Sequence, residues 1–341
     1  MSTNTSNIPR ATGLLIIEAR NSNPNGDPDR ESDPRTRSHD GRGVISDVSF
    51  KRKLRELILA KEGPVWAQFK ADMSLNDDDF GIHVDDQTRK LAAGSASALS
   101  VLWKAYEKAE KAAKEAKGND AETAKLEAIN AFEAYNKKFA YLHWDVRVFG
   151  STALEEGKKS FIRTGVAQFG IGVSGAKVRI QRDTNTVKAN VDANKDADRG
   201  MAPLGFRIIE HGVYAMPFLV NPTAALKSGC QLRDIELLCR LIPYAYAHNP
   251  SRVRPFVEVR HAWYFQHNNG LGSASDFAVI DALTPTKADP SEPSASWADY
   301  NYDGTAVLAK ARQGFEGKFQ HFGDLCDASF VNQVFPPKAK E

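Results

Sequence analysis

The chain has 341 residues, of which 45 are Lys or Arg and 43 are Asp or Glu, so its formal net charge at pH 7 is only +2. This balance gives no overall electrostatic signature of nucleic-acid binding, so phosphate-binding charge would have to be concentrated locally. The cysteines Cys230, Cys239 and Cys326 form no CxxC pair, which disfavours structural zinc and disulfides. The sequence has no signal-peptide pattern and no apolar run long enough to cross a membrane, so we expect a cytoplasmic protein without a membrane partner.

The first predicted elements are a strand over residues 12–19 and a loop over residues 21–43 that is rich in Asp, Arg, Pro and Gly. Asn23-Pro24 and Asn25-Gly26 are turn dipeptides, because Pro fixes φ and Gly accepts a positive φ. The backbone must therefore turn sharply after the strand, and we expect its amides and Asn side chains to project where a ligand could lie.

A helix is predicted directly after this loop. Ser46 or Asp47 is placed to cap it, and its apolar residues recur at helical spacing, namely Val48, Leu54, Leu57 and Ile58. This spacing predicts that the cations Lys51, Arg52, Lys53 and Arg55 face outward. A cationic helix beside an amide-rich turn suits a phosphate backbone, although a Lys/Arg run on a helix is more often only a solvated face.

The composition over residues 95–139 shifts to Ala, Lys and Glu, and Gly118 opens a short break. These strong helix formers predict a helical hairpin within an insertion over residues 63–140. Each predicted helix has one apolar stripe, formed by Leu102, Tyr106 and Ala109 and then by Leu126, Ile129, Phe132 and Tyr135. We expect the hairpin to pack on the core rather than to carry chemistry.

The segment YLHWDVRVF at residues 141–149 alternates apolar and polar side chains, which predicts a half-buried strand with a polar face. A β-rich segment with three glycines follows at residues 161–173. Missing side chains there would let another backbone approach closely, and Arg163, Thr164 and Gln168 would be placed to contact it.

Residues 177–182 and 206–214 predict the two arms of a β-hairpin, and the polar segment between them is too rich in Asn, Asp and Ala to bury itself. A second helix is predicted over residues 232–246, with Leu237, Leu238, Leu241 and Ile242 on one face. A basic β-rich segment over residues 248–267 carries Arg252 and Arg254.

The aromatic residues 263–265 of that segment fit either RNA stacking or a core strand, and the core interpretation fits Trp263 and Phe265 better. After residue 283 the sequence indicates a Pro/Ser/Asp linker, a short helix over residues 305–317, and a tail with Phe319, Phe322, Phe330 and Phe335. We expect those aromatic rings to dock on the core or on a neighbouring subunit.

Several segments, in order, closely resemble the backbone subunit of type I CRISPR Cascade complexes. They are NPNGDPD with ISDVSFKRKLR near the start, then DVRVFG, RTGVAQF and HNNGLG. The resemblance spans roughly residues 12–282 with gaps, and it favours subtype I-C over I-B. The fold it implies, which also fits the order of elements, is α+β: an RNA-recognition-motif-like (ferredoxin-like) sheet domain over 12–282, with the 63–140 helical insertion and a protruding thumb hairpin at 182–206. Residues 283–341 would form the linker and a C-terminal docking segment.

The resemblance implies a non-enzymatic protein without a cofactor or metal, whose copies polymerise as a filament along CRISPR RNA (crRNA) and display the guide for pairing with target DNA. Its other partners would be further Cascade subunits. The RNA-binding residues would be Asn23, Asn25, Lys51, Arg52, Lys53, Arg55, Arg163, Gln168, Arg252 and Arg254. The thumb would wedge one base out of the stack, and Met201, ahead of Val187, is the candidate wedge because unstacking needs an apolar tip.

A metal-dependent RNA endonuclease is the main alternative, because backbone subunits of type III complexes cut target RNA with an Asp in an early loop. The candidate metal ligands in this loop are Asp27, Asp29, Asp33 and His39. They alternate with arginines that could satisfy them as surface pairs, so we favour a structural role over a metal site. An RNA-binding module unrelated to CRISPR is a weaker possibility, and the sequence has no phosphate loop, HExxH or GxSxG motif.

Overall fold

The computed structural model describes residues 8–83, 98–118, 120–153, 161–188 and 201–336. They divide into two compact units. The first is built from residues 58–168 and 221–237, and the second from residues 9–57, 169–220 and 238–336. The predicted division into a domain over 12–282 and a segment over 283–341 stays a prediction.

In chain order, the strands are β1 (Ala11–Ser22), β2 (Gly26–Asp27), β3 (Asp33–Pro34), β4 (Arg42–Ile45), β5 (Gly150–Ala153), β6 (Phe161–Thr164), β7 (Ala167–Phe169), β8 (Gly172–Lys177), β9 (Ile180–Lys188), β10 (Met201–Val220), β11 (Val257–His267) and β12 (Phe319–Asp324). The α-helices are α1 (Asp47–Leu59), α2 (Pro64–Met73), α3 (Ala98–Glu115), α4 (Asp120–Leu142), α5 (Trp144–Phe149), α6 (Ala225–Ser228), α7 (Leu232–Leu241), α8 (Asp276–Leu283), α9 (Gly304–Gly314) and α10 (Ala328–Val334).

The second unit is built around an antiparallel sheet, so the mixed α and β architecture expected from the sequence is present. Its strands follow the order β12-β11-β1-β10-β8-β4, and β9 pairs with the first half of β10. Strand β1 lies in the middle, where Leu14, Leu15, Ile16 and Ile17 are all fully buried. Because successive side chains of a strand point to opposite faces, both faces of the sheet are covered at this strand.

The C-terminal residues pack on one face and one edge of this sheet. Leu14 and Ile16 of β1 share a buried cluster with Trp263, Phe265 and Tyr300. Strand β12 pairs with β11 and places the ring of Phe322 in a stack on Phe265, with 5.0 Å between centroids. The expectation that the C-terminal aromatic rings dock on the core is therefore met within this chain.

The linker predicted after residue 283 is anchored rather than free. Its backbone accepts a hydrogen bond at Pro290 from the Lys177 amide (2.9 Å), and Ser294 and Tyr300 are both buried. Apolar and hydroxyl side chains spaced along a Pro/Ser-rich sequence fix it to the sheet, which composition alone does not reveal.

The predicted helical hairpin of the first unit is present as α3 and α4. The two helices meet through aromatic pairs, Trp103 with Tyr135 at 5.1 Å and Tyr106 with Phe132 at 4.9 Å between ring centroids. The predicted stripe was wrong at Leu126 and Ile129, which are exposed. Aromatic rings reach further across the helix pair than aliphatic side chains, and they form the contact in their place.

The strand predicted over residues 141–149 was wrong, because α4 continues to Leu142 and α5 covers Trp144–Phe149. Both of its charged residues are buried. Arg147 forms an ion pair with Asp234 (2.8 Å) and donates to the carbonyl oxygens of Asp79 and Ala140. Asp145 accepts a hydrogen bond from the His83 amide at 2.9 Å. These buried charged residues alternate with apolar ones, so the sequence has the same pattern as a strand with one solvent-exposed polar face.

Candidate nucleic-acid interface

The loop after β1 and the start of α1 are joined by hydrogen bonds. The Ser46 hydroxyl accepts from the Ser49 amide at 3.2 Å, which confirms the predicted helix cap. Asn25 accepts from the Ser46 amide at 2.7 Å through its side-chain oxygen. The Asn25 side chain thus sets where α1 begins.

The cations of α1 do not all face outward as predicted. The Lys51 and Lys53 side chains are only 12 % and 11 % exposed, and they pair with Asp47 (2.9 Å) and Glu56 (2.5 Å). Arg55 is half-buried. Arg52 is 76 % exposed although it also pairs with Glu56 at 2.8 Å. The prediction of outward cations is therefore wrong for Lys51 and Lys53, because acidic residues of the same helix hold their ammonium groups against its surface.

Asn23 is buried and its amide group holds the protein backbone. Its nitrogen donates to the carbonyl oxygens of Ser32 (2.8 Å) and Arg207 (3.1 Å). Because this nitrogen already donates to two backbone carbonyl oxygens, it does not make the direct ligand contact that was predicted for Asn23. Its role in the second unit is to tie the first loop to the start of β10.

The first loop is also tied to the β9–β10 hairpin through Asp33. Arg182 and Arg207 face each other across the hairpin, and both guanidinium groups donate to the Asp33 carboxylate. The shortest distances are 2.7 Å from Arg182 and 3.1 Å from Arg207. The hydrogen bonds from Arg182, followed by those from Arg207, outweigh burial and lower the pKa of Asp33.

Residues 249–256 contact both helix α1 and the residue that follows β1. Asn249 donates to the carbonyl oxygen of Lys53 at 3.1 Å, and Arg254 donates to that of Asn23 at 3.1 Å. The predicted β-rich segment 248–267 begins as a strand only at Val257, so Arg252 and Arg254 lie in its preceding loop. Arg252 is exposed and Arg254 is half-buried. Of the predicted site residues, Asn23 and Arg254 are thereby in direct contact, and the backbone of Lys53 contacts Asn249.

Two of the predicted RNA-binding residues belong to the first unit. Gln168 is exposed and donates to the carbonyl oxygen of Gly165 at 3.0 Å. Arg163 lies in β6 opposite Ser151, and its side chain is outside the described residues. The missing side chain of Gly165 accommodates the protein's own backbone, since a Cβ there would lie 2.1 Å from the Phe149 carbonyl carbon.

The predicted thumb hairpin is present at its base. Met201 begins β10 and pairs in register with Lys188, so both arms are longer than predicted. The segment 189–200 and the side chains of Met201 and Val187 lie outside the described residues. The wedge role of Met201 stays a prediction.

The acidic residues of the first loop are held by arginines. Besides Asp33, Asp27 lies 3.5 Å from Arg35, and Asp40 pairs with Arg37. Within the described part of the chain, no group of three or more His, Cys, Asp or Glu side chains is arranged to hold a metal ion. The expected pairing with a loop arginine is present for Asp27, whereas Asp33 pairs with arginines of the hairpin rather than of the loop.

Comparison with protein families identifies the family of this chain. The sequence pattern of the family described as CRISPR-associated protein Cas7 matches residues 9–305. The chain belongs to the Cas7 family. No curated protein sequence matches it closely enough to count as a relative.

Similar solved structures include chains of two complexes described as "CRISPR RNA-guided surveillance complex, pre-nicking" and "CRISPR RNA-guided surveillance complex". They are 13 % and 12 % identical, each covers 96 % of this Cas7-family chain, 90 % and 86 % of their own lengths are covered, and both TM-scores are 0.43. A third is described as "Cryo-EM structure of the Type III-B Cmr-beta bound to cognate target RNA" and is 11 % identical. The match covers 76 % of this chain and 61 % of the length of that chain, with a TM-score of 0.36.

Three residues near the loop of this Cas7-family chain were not predicted as site residues: Arg20 and Arg182, whose side chains are both 57 % exposed, and Phe256, which is 67 % exposed. The alternating pattern of KVRIQR was a usable signal for Arg182. Arg20 and Phe256 have no comparable signal, because Arg20 lies near the end of the largely buried β1 and Phe256 directly precedes β11. No helix in the described ranges is both long and apolar enough to span a membrane.

Proposed function

We propose that this Cas7-family chain is a crRNA-binding backbone subunit of a type I CRISPR complex, of subtype I-C ahead of I-B. Copies of the chain oligomerise along the crRNA, grip its phosphates and present the guide for pairing with target DNA. Other subunits of the complex cap this assembly. The observation that carries the proposal is the family match over residues 9–305.

The second unit supports RNA binding through exposed guanidinium groups next to the first loop, α1 and the hairpin. They are those of Arg20, Arg52, Arg182 and Arg252. Several of these groups already pair with a carboxylate, but a guanidinium carries five donors, so one such pair leaves donors for phosphate. Local cations of this kind satisfy the requirement that the near-neutral net charge imposes.

The order of the central strands supports an RNA-recognition-motif-like fold. Strands β11, β1, β10 and β8 are adjacent and antiparallel, α1 follows β1, and α7 connects β10 to β11. This is a βαββαβ arrangement with insertions. Its sheet does not bind RNA through Trp263 and Phe265, however, because both rings are buried beneath the C-terminal residues. RNA must therefore bind at the ends of the sheet and at the loops.

The first loop favours a binding role over metal-dependent RNA cleavage. A carboxylate must be available to a metal ion or to a water molecule to support hydrolysis. Asp33 is instead held by Arg182 and Arg207, and Asp27 lies beside Arg35. We accordingly propose that the chain is not an enzyme.

The test is to express the chain with a CRISPR array and to purify it by size. A discrete multi-copy particle that contains RNA of uniform length supports the proposal. A monomer without RNA contradicts it, and Mg²⁺-dependent cleavage of complementary RNA that is lost in Asp33→Ala or Asp27→Ala would instead support the nuclease.

The exposed arginines provide a second test on RNA affinity and its salt dependence. Replacing Arg52 and Arg252 together by Ala should weaken binding to every RNA sequence and lower the salt slope, since phosphate contacts are independent of sequence. Lys310→Ala is the matched control, because Lys310 is an exposed cation of the same unit on α9.

A further inference from the structure

The second unit has aromatic rings buried in its core and an exposed ring, Phe256, beside several arginines. Trp263, Tyr264 and Phe265 of β11 are each buried to 98 % or more, so their rings cannot stack on a nucleobase. Phe256 immediately precedes the same strand and is 67 % exposed. Val257 beyond it is buried, as the alternation of a strand requires, and the Phe256 ring therefore points away from the core.

The backbone of Phe256 is fixed on both sides. Its amide donates to the Ser22 hydroxyl at 3.0 Å, and its carbonyl oxygen accepts from the Arg20 amide at 2.9 Å. Both contacts lie on β1, the central strand of the sheet. A ring carried on such a fixed backbone loses little conformational freedom when a ligand binds, which is a requirement for an efficient contact.

The charges around Phe256 are mainly positive. Arg20 is its neighbour across the strand pair, and Arg252 and Arg254 precede it by a few residues. Glu258, on β11, is an exposed acid two residues after Phe256. The other nearby acid, Glu18, is buried and already accepts from Arg20 at 2.7 Å. This surface therefore attracts an anionic chain rather than a second apolar surface.

We propose that Phe256 is a stacking platform for an unpaired nucleobase of the RNA, with Arg20 and Arg252 binding the adjacent phosphates. The inference rests on the proposed RNA-binding function and adds a base contact to the phosphate contacts. Single-stranded nucleic acids are commonly bound by this combination, because every base has a π-face and every nucleotide a negative charge. The contact is independent of sequence, as a protein that accepts many guides requires.

The experiment compares two probes on the full-length chain. One is single-stranded oligouridylate of about 12 nucleotides, and the other is an abasic ribose-phosphate strand of the same length. Phe256→Ala should weaken binding of oligouridylate by about 5- to 150-fold, the range expected for one lost base stack. It should leave binding of the abasic strand and the salt slope unchanged. Phe256→Trp should retain binding of oligouridylate.

Phe277→Ala is the matched control, because Phe277 is a similarly exposed ring of the same unit on α8. Equal affinity of wild type and Phe256→Ala for oligouridylate would overturn the stacking role while leaving the proposed function intact. Failure of the wild type to bind either probe would contradict both. If Phe256→Ala reduces self-association but not RNA binding, the ring belongs to a protein interface and the inference is wrong. Phe256→Leu, which keeps an apolar side chain, must behave like Ala if aromatic stacking is the cause.

Discussion

Asp33 accepts from two nitrogens of Arg182: the single Nε hydrogen is shared between its two carboxylate oxygens at 3.1 and 3.0 Å, and Nη2 donates at 2.7 Å. These residues are 149 positions apart in the chain and join the first loop to the base of the β9–β10 hairpin. Arg207 adds hydrogen bonds to Asp33 and to Glu31 from the opposite arm. The loop that resembles the family's RNA-binding turn therefore holds the hairpin that we expect to act as the thumb.

Asp33→Asn should loosen the hairpin base, because an amide keeps the shape of the carboxylate but loses its charge. We expect the paired amides around Gln181 and Ile208 to exchange hydrogen about two- to five-fold faster, the effect of losing ~0.5–1 kcal/mol from a partly exposed ion pair. Hydrogen exchange followed by mass spectrometry measures it. Asp183→Asn is the control, since Asp183 lies on the same hairpin and its side chain accepts from Gln181 in a local, exposed contact. Equal exchange in both variants would show that Asp33 does not hold the hairpin.

Arg147→Met should strongly destabilise the first unit. Arg147 and Asp234 are both buried, and removal of the guanidinium leaves the Asp234 carboxylate charged without its partner. The expected loss is about 3–5 kcal/mol in the free energy of unfolding, measured by urea denaturation. Arg233→Met is the control, because Arg233 is partly exposed and should contribute ~1 kcal/mol or less. If Arg147→Met together with Asp234→Leu is no more stable than Arg147→Met alone, the unpaired charge is not the cause.

The elements that sequence predicted well are those fixed by local pattern. The cap at Ser46, the helix pair α3 and α4, and the buried stripe of α7 follow from residues a few positions apart. The helix at residues 144–149 could not be predicted, because the partner of Arg147 is 87 positions away. Without that partner, a charged residue between apolar ones reads as a solvent-facing position.

The RNA-binding residues expected from the sequence stay a prediction, and the structure gives the local contacts of some of them. Arg254 donates to the carbonyl oxygen of Asn23, and Asn249 donates to that of Lys53. The pairing of Lys53 with Glu56 was available from the spacing of three residues on a helix. The core role of Trp263 and Phe265 and the docking of the C-terminal rings were each expected, but not that the C-terminal residues cover these two rings, since no periodicity shows which face a distant segment will cover.

Glu18→Gln should reduce stability in a pH-dependent way. Burial alone raises the pKa of Glu18, but hydrogen bonds from His211 and Arg20 outweigh it and lower the pKa to about 2. Because this value is below the unfolded pKa of about 4.3, the carboxylate stabilises the fold above pH ~4.5, and this contribution is lost as the pH falls towards 2. We expect the variant to be about 2–3 kcal/mol less stable than wild type at neutral pH, and the difference to be about halved near pH 3.

Urea denaturation of both proteins over this pH range checks the prediction for Glu18. Glu258→Gln is the control, because Glu258 lies opposite Glu18 in the strand register but is exposed. Its stability should match wild type within ~0.5 kcal/mol at each pH. A difference between wild type and Glu18→Gln that does not change with pH would show that shape, rather than charge, causes the loss.

Arg52 and Lys53 should differ in their effect on RNA binding although they are neighbours that share Glu56 as a partner. Arg52 is largely exposed, so Arg52→Ala should lower the slope of log affinity against log salt by about 0.7, the value for one phosphate contact on a single strand. Lys53 is nearly buried, and Lys53→Ala should leave the slope unchanged and lower stability, because its apolar stem packs against the protein and Glu56 loses a partner. Fluorescence anisotropy of labelled single-stranded RNA over a salt series measures the slope, and thermal unfolding measures stability. If Lys53→Ala lowers the slope as much as Arg52→Ala does, Lys53 leaves Glu56 to bind phosphate, and its position in the free chain is not the one it has on RNA.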